Sequence, residues 1–136
     1  MPRLEFFVVS ELVSVDQTTN KASIFNILEE IHAPQFPVII PHCVATSLWC
    51  QQEEDHERDF QCVLRVTLPN GNTRDFASNF TLTQTRHRLI QALQVLPVTQ
   101  PGELRFELLL NGVHAAQHIV TVEQVRPLDA IDSTVH

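Results

Sequence analysis

Phe60, Cys62, Leu64, Val66 and Leu68 alternate with Gln61, Val63, Arg65 and Thr67, the clearest period of two in this chain. A strand points successive side chains to opposite faces, so this run predicts one inward apolar face. Leu104, Phe106, Leu108 and Leu110 repeat the pattern against Arg105, Glu107 and Leu109. Phe76, Phe80 and Leu82 share a parity on a returning strand, with a break expected near Ser78-Asn79. Over residues 88–98, Leu89, Leu93 and Val95 fall on one side, and Ile90, Ala92, Gln94 and Leu96 on the other. Residues 42–52 offer Val44, Thr46, Leu48 and Cys50 on one face and Cys43, Ala45, Ser47 and Trp49 on the other. The Phe- and Val-rich stretch over 4–11 predicts a first strand.

Turn chemistry punctuates these runs. The three glycines stand at Asn70-Gly71, Pro101-Gly102 and Asn111-Gly112. Asn-Gly supplies the positive φ of a tight two-residue turn, so these sites read as β-hairpins. At the last one, a strict two-residue turn would set Leu104 opposite Ile119 instead of Val120, so a bulge or longer turn is expected. Residues 21–31 fit either period. Ile24, Ile27, Leu28 and Ile31 match a helical face, but Ser23, Ile24, Phe25 and Asn26 are poor helix formers. A strand over 22–28, pairing with the first strand across Asp16-Gln17-Thr18-Thr19-Asn20, is the preferred reading. Pro34, Pro37 and Pro41 forbid a helix in the next stretch, which predicts an extended crossover with Phe36, Val38 and Ile40 packing at the sheet edge. About eight short strands follow. They predict an all-β, antiparallel β-sandwich, immunoglobulin-like or jelly-roll-like. A single domain over 1–125 is expected, with a tail over 126–136 that is frayed or docked on a partner.

Composition narrows the function classes. The chain has 136 residues and a formal charge of −7, from 16 acidic and 9 basic side chains. An acidic balance disfavours nucleic acid and anionic lipid, which both need a cationic surface. Arg86, His87 and Arg88 make the one local basic cluster. No stretch approaches the roughly 20 apolar residues of a membrane helix, and the apolar run after Glu5 is too short for a secretory signal. A cytoplasmic protein is expected. Cys43, Cys50 and Cys62 are odd in number and lack metal-type spacing, so they read as free thiols, with Cys50 and Cys62 near enough on neighbouring strands for an adventitious disulfide.

Motifs of catalysis are missing from the sequence. The glycines are too far apart for a phosphate loop, and there is no nucleophile elbow. Four of the seven histidines, His42, His87, His114 and His118, are the candidates for a metal site. On a regular strand His114 and His118 would stand about 13 Å apart, too far for one ion unless a bulge intervenes. Glu53, Glu54, Asp55 and Glu57 read as a solvated loop. Trp49 is either a core anchor or a platform for a ligand or subunit. Phe6 and Phe7 must face opposite ways, so the first strand is expected to be covered on both sides.

Three motifs are similar to those of an uncharacterised bacterial family of small β-sandwich proteins, a domain of unknown function. They are Asn20-Lys21-x-Ser23-Ile24-Phe25-Asn26, Ala33-Pro34-x-Phe36-Pro37 and Pro101-Gly102-x-Leu104-x-Phe106-x-Leu108. Leu104 stands where that pattern often has Tyr. The resemblance implies a small cytoplasmic β-sandwich and carries over no catalytic or ligand residue. The resulting expectation is a non-catalytic interaction module, an accessory or oligomeric subunit with a protein partner or a second copy, with no cofactor and no catalytic or metal residue. Its candidate binding residues are Trp49, Phe7, Arg86 and Arg88. A sugar or small-molecule binding domain is the alternative, and a histidine-based metalloenzyme comes third.

Overall fold

The period-two runs fold as strands in a computed structural model that describes residues 1–126. In chain order these are β1 (Arg3–Val15), β2 (Ala22–Ile27), β3 (Glu30–Ala33), β4 (Val38–Cys50), β5 (Asp59–Thr67), β6 (Thr73–Thr81), β7 (Arg86–Val98), β8 (Gly102–Leu110) and β9 (Val113–Gln124). They form two sheets, β2-β1-β4-β7 and β3-β9-β8-β5-β6. Setting β2 and β3 aside, β1-β4-β7 and β9-β8-β5-β6 follow the A-B-E and G-F-C-C′ order of an immunoglobulin-like sandwich. The tail expected over 126–136 lies outside the described residues, apart from Arg126.

The inward face predicted for β5 is buried from Phe60 to Leu68, as is that of β8 from Leu104 to Leu110. These pack against Val9, Cys43, Ala45, Leu93, Leu96 and Val98 of the four-stranded sheet. Trp49, Phe80 and Leu89 fill the other end. Phe36 packs against the core from the proline-rich crossover, whereas Val38 and Ile40, expected in that crossover at the sheet edge, reach the core from the start of β4.

Two glycine corners close hairpins: Gly71 (φ 92°) joins β5 to β6, and Gly112 (φ 82°) joins β8 to β9. Pro101-Gly102 does not. It lies where the chain crosses from β7 in one sheet to β8 in the other. Gly102 has φ 141°, and a Cβ there would sit 3.1 Å from the Pro69 Cβ. A register shift between Leu108 and Leu109 adds one residue to β9, so Leu104 does face Val120. The same bulge sends His114 and His118 to opposite faces, since His114 pairs with outward Leu109 and His118 with inward Phe106.

The structure corrects several expectations. β6 runs unbroken through Ser78 and Asn79. Among the described residues nine strands form where about eight were expected, and the pairing of residues 30–33 with β9 is parallel where all pairs were expected to be antiparallel. Cys50 and Cys62 lie in different sheets, and all three thiols are free. Val95 faces solvent while Leu96 is buried. There the β4–β7 ladder skips the Pro41–Val95 pair, where proline has no N–H to donate and Val95 takes φ 55°. Both strands change inward parity at that point.

The ribbon β1–β2 does not run straight. Phe6 pairs with Leu48, which pairs with Arg88, and Val15 pairs with Ala22 at the far end. Nine residue steps separate Phe6 from Val15, about 30 Å if the strand were straight. Yet Arg88 donates to the Asn20 carbonyl at 3.2 Å and to the Asn20 side-chain oxygen at 3.0 Å. The ribbon therefore turns back over the outer face of its own sheet. The turn falls where the pairing skips Glu11 and Asn26, with Asn26 at φ 58° and its amide donating to the Glu11 carboxylate at 3.0 Å. Thr46 on that outer face is consequently 0% exposed, and Val44 and Ser10 are buried beside it. The first strand is covered on both sides only around Ser10, where the chain's own hairpin is the cover; Phe6, on which the expectation of a second cover rested, stays 37% exposed.

Leu64→Ala should cost about 2–5 kcal/mol through the lost contacts and the cavity left behind, and Gly102→Ala about 1–3 kcal/mol through backbone strain. Urea unfolding measures both. A loss under half of 1 kcal/mol for Leu64→Ala would contradict this packing.

Candidate functional site

Folding back brings the hairpin tip onto β7, and a cleft of about 1010 Å³ opens between them. Asn20, Lys21 and Ala22 form one wall, Arg86, His87, Arg88 and Ile90 the other, with Leu48 between and Gln84 and Thr85 at the end. Local chemistry fixes the first wall. Asp16 accepts from the Thr18 and Thr19 N–H groups at 2.8 and 2.9 Å, and Asn20 takes φ 61° to complete the turn. The Thr19 and Thr18 amides hold the Asp16 carboxyl below the usual carboxylate range. Arg88 then clamps the tip through Asn20, a residue 68 positions away.

The electrostatics of the cleft run against those of the whole chain. Three of the nine Lys and Arg residues (Lys21, Arg86 and Arg88) line it, and no acidic side chain among the described residues does. Glu5 stands at the rim, 3.4 Å from Arg86 and 3.3 Å from Arg3. Arg3 first, then Arg86, keeps the Glu5 carboxyl below its ordinary value against the opposing cost of burial. Arg86 stays more than half exposed, so this pair is weakly held. Chemically, the cleft can receive negative charge, with Ala22, Leu48 and Ile90 supplying the apolar part of its lining.

A family of unknown function, DUF6941, has a family model that matches residues 5–123, from β1 into β9. The chain belongs to DUF6941. The match spans the hairpin, β7 and the cleft of this DUF6941 protein. No curated protein matches the sequence.

Of the four residues singled out from the sequence, Arg86 and Arg88 meet in the cleft. Trp49 and Phe7 do not join them. Trp49 is 1% exposed, and its indole N–H donates to the Ser47 hydroxyl at 3.0 Å, so it has no free face for a ligand. Its parity partners Cys43, Ala45 and Ser47 are buried on the same inward face. Phe7 packs on both halves of the core and meets His118 edge-on at 6.5 Å. Asn20 and Lys21 were missed, and only the polar turn hinted at them.

The four histidines singled out are held apart by separate duties. His42 bonds the Glu11 carbonyl at 3.0 Å, and His118 bonds the Leu28 carbonyl at 2.6 Å, pinning the crossover between the sheets. His114 lies 3.7 Å from Glu107 on the outer face of the five-stranded sheet. Among the described residues, no group of three His, Cys, Asp or Glu side chains could hold a metal ion. Burial raises the Cys43 thiol to about 11 and the Cys62 thiol to about 12, which leaves both protonated and unreactive at neutral pH.

His87 turns inward from the cleft wall and stacks on Phe80, with ring centroids 4.6 Å apart. Burial pushes its pKa down. The unfolded chain therefore takes up this proton first as pH falls below the ordinary histidine value of about 6.5. The stability due to the neutral ring is complete above that pH and is lost below it. The melting temperature should fall between pH 7 and 5.5, and His87→Phe, which keeps the stack, should flatten that slope. An equally steep slope in the variant would contradict the assignment. Asp16 and Glu5 act in a lower window, because their carboxyls titrate below the ordinary carboxylate values.

Proposed function

We propose that this DUF6941 protein is a non-catalytic β-sandwich module that binds protein, as an accessory or oligomeric subunit. The observation that carries the reading is a contrast between the two outer faces. Leu12, Phe25 and Ile27 on the folded-back hairpin are 45–53% exposed, and Phe6, Ile39 and Ile90 are exposed on the strands beside it. The five-stranded sheet exposes Val113 and Ile119 on β9 but otherwise turns charged pairs outward. Arg65 makes a two-pronged contact with Asp75 at 2.9 and 3.1 Å, and Arg105 pairs with Glu103 at 3.3 Å. Contiguous exposed apolar surface is rare on proteins that work alone and common where another protein docks.

The protein is assigned to the bacterial cytoplasm. The support is its three free thiols, which suit a reducing compartment, together with its motif resemblance. No helix among the described residues is long and apolar enough to cross a membrane. The sugar-binding alternative loses its main support with Trp49 inside the core.

Light scattering across a concentration series, together with partner capture from a lysate, tests the proposal. The wild type should assemble with itself or with a partner. Phe25→Asp with Ile27→Asp should remove that assembly while leaving the melting temperature nearly unchanged, since exposed substitutions cost within about 0.5 kcal/mol. A strict monomer that recovers no partner would overturn the reading.

A further inference from the structure

We propose that the open edge of β7 binds an extended acidic segment of a partner protein, which adds to the four-stranded sheet as its next strand. The inference rests on the protein-binding reading above and names the chemistry of one partner. Among the described residues β7 is the last strand of its sheet, so no described strand pairs with the outer side of its backbone. Such an edge pairs readily with another extended chain.

Side-chain placement selects the sequence of that chain. His87 and Leu89 point inward, to Phe80 and the core, so Arg86, Arg88 and Ile90 share the outer face. Alternate residues on a strand stand about 6.7 Å apart. An added strand would set its own alternate residues directly opposite them, with Cβ atoms about 5 Å away. The complementary segment therefore reads apolar-x-acidic-x-acidic, antiparallel to β7. Ile90 meets the apolar residue, and Arg88 and Arg86 meet the two carboxylates. Arg88 spends two N–H groups on Asn20, and a guanidinium has five, so donors remain. Arg86 must exchange its exposed contact with Glu5, which costs little. Lys21, across the cleft, adds a third positive charge.

β6, the edge strand of the other sheet among the described residues, does not offer this pattern. Its outward Asp75 is already engaged by Arg65. A long polyanion such as nucleic acid is disfavoured, because three cations face a chain of net charge −7.

The test uses the full chain and a fluorescein-labelled peptide carrying Ile-Thr-Glu-Thr-Glu at its centre, read by fluorescence anisotropy. The wild type should bind it, and raising salt from 50 to 300 mM should weaken binding. Replacing both peptide glutamates with glutamine should weaken binding at least tenfold, and so should Arg86→Glu. Lys21→Gln should weaken it less. Hydrogen exchange should slow over residues 86–92 on binding. Because Arg88 also holds the hairpin, its substitution is avoided. No binding to the acidic peptide, or equal binding of the glutamine peptide, overturns the proposal. So does displacement of the peptide by inorganic phosphate or by a single-stranded oligonucleotide at equal charge concentration, since that would mark a general anion site. If the peptide fails while Phe25 and Ile27 still govern assembly, this inference falls and the protein-binding reading stands.

Discussion

A four-stranded sheet has two faces, and in this chain the second sheet covers only one of them. β1 and β4 carry apolar or neutral side chains on the uncovered side too, Val8, Val44, Thr46 and Leu48 among them. Burying these is the constraint that shapes the rest of the molecule. The solution is the far half of the β1–β2 ribbon, turned back at Asn26 and held at its tip by Arg88 on Asn20. Under the returned ribbon Thr46 is fully buried. The same movement creates the cleft, because the tip comes down beside the edge strand and not out in solvent.

Covering one apolar surface exposes another. The under side of the hairpin, with half-buried Val13, Ala22 and Ile24, faces the sheet, and its upper side presents Leu12 and Phe25 to solvent. A two-stranded ribbon is marginal by itself. Here it persists because it packs. The four-stranded sheet thus keeps an apolar, hairpin-backed outer side, and under the proposed protein-binding reading the cationic cleft at its margin would give that side an electrostatic address.

Much of the sandwich was legible in the sequence because strand periodicity is local. The β5 and β8 alternations, the Asn-Gly hairpins and the opposite destinations of Phe6 and Phe7 all follow from neighbours within a few residues. Even the β9 bulge followed from register, since Leu104 and Val120 can meet only if one residue is skipped. The failures share a cause. Pro101-Gly102 specifies a bend but not which sheet the chain enters next. The parallel pairing of β3 with β9 joins residues about 90 positions apart. Val95 leaves its predicted face because of Pro41 on another strand. The cleft depends on Arg88 meeting Asn20, so Arg86 and Arg88 stood out as a pair while Lys21 did not.

Because the hairpin's return underlies both the covered sheet and the cleft, the distance from its tip to the end of β7 is the decisive quantity. Spin labels at Thr19→Cys and Gln84→Cys, in a Cys50→Ser background, allow it to be measured by pulsed electron resonance. Buried Cys43 and Cys62 would stay unlabelled, as their raised pKa values imply. A folded-back ribbon predicts a single narrow distance under about 20 Å, whereas a straight ribbon would separate these positions by about 30 Å or more. The longer distance would contradict this account.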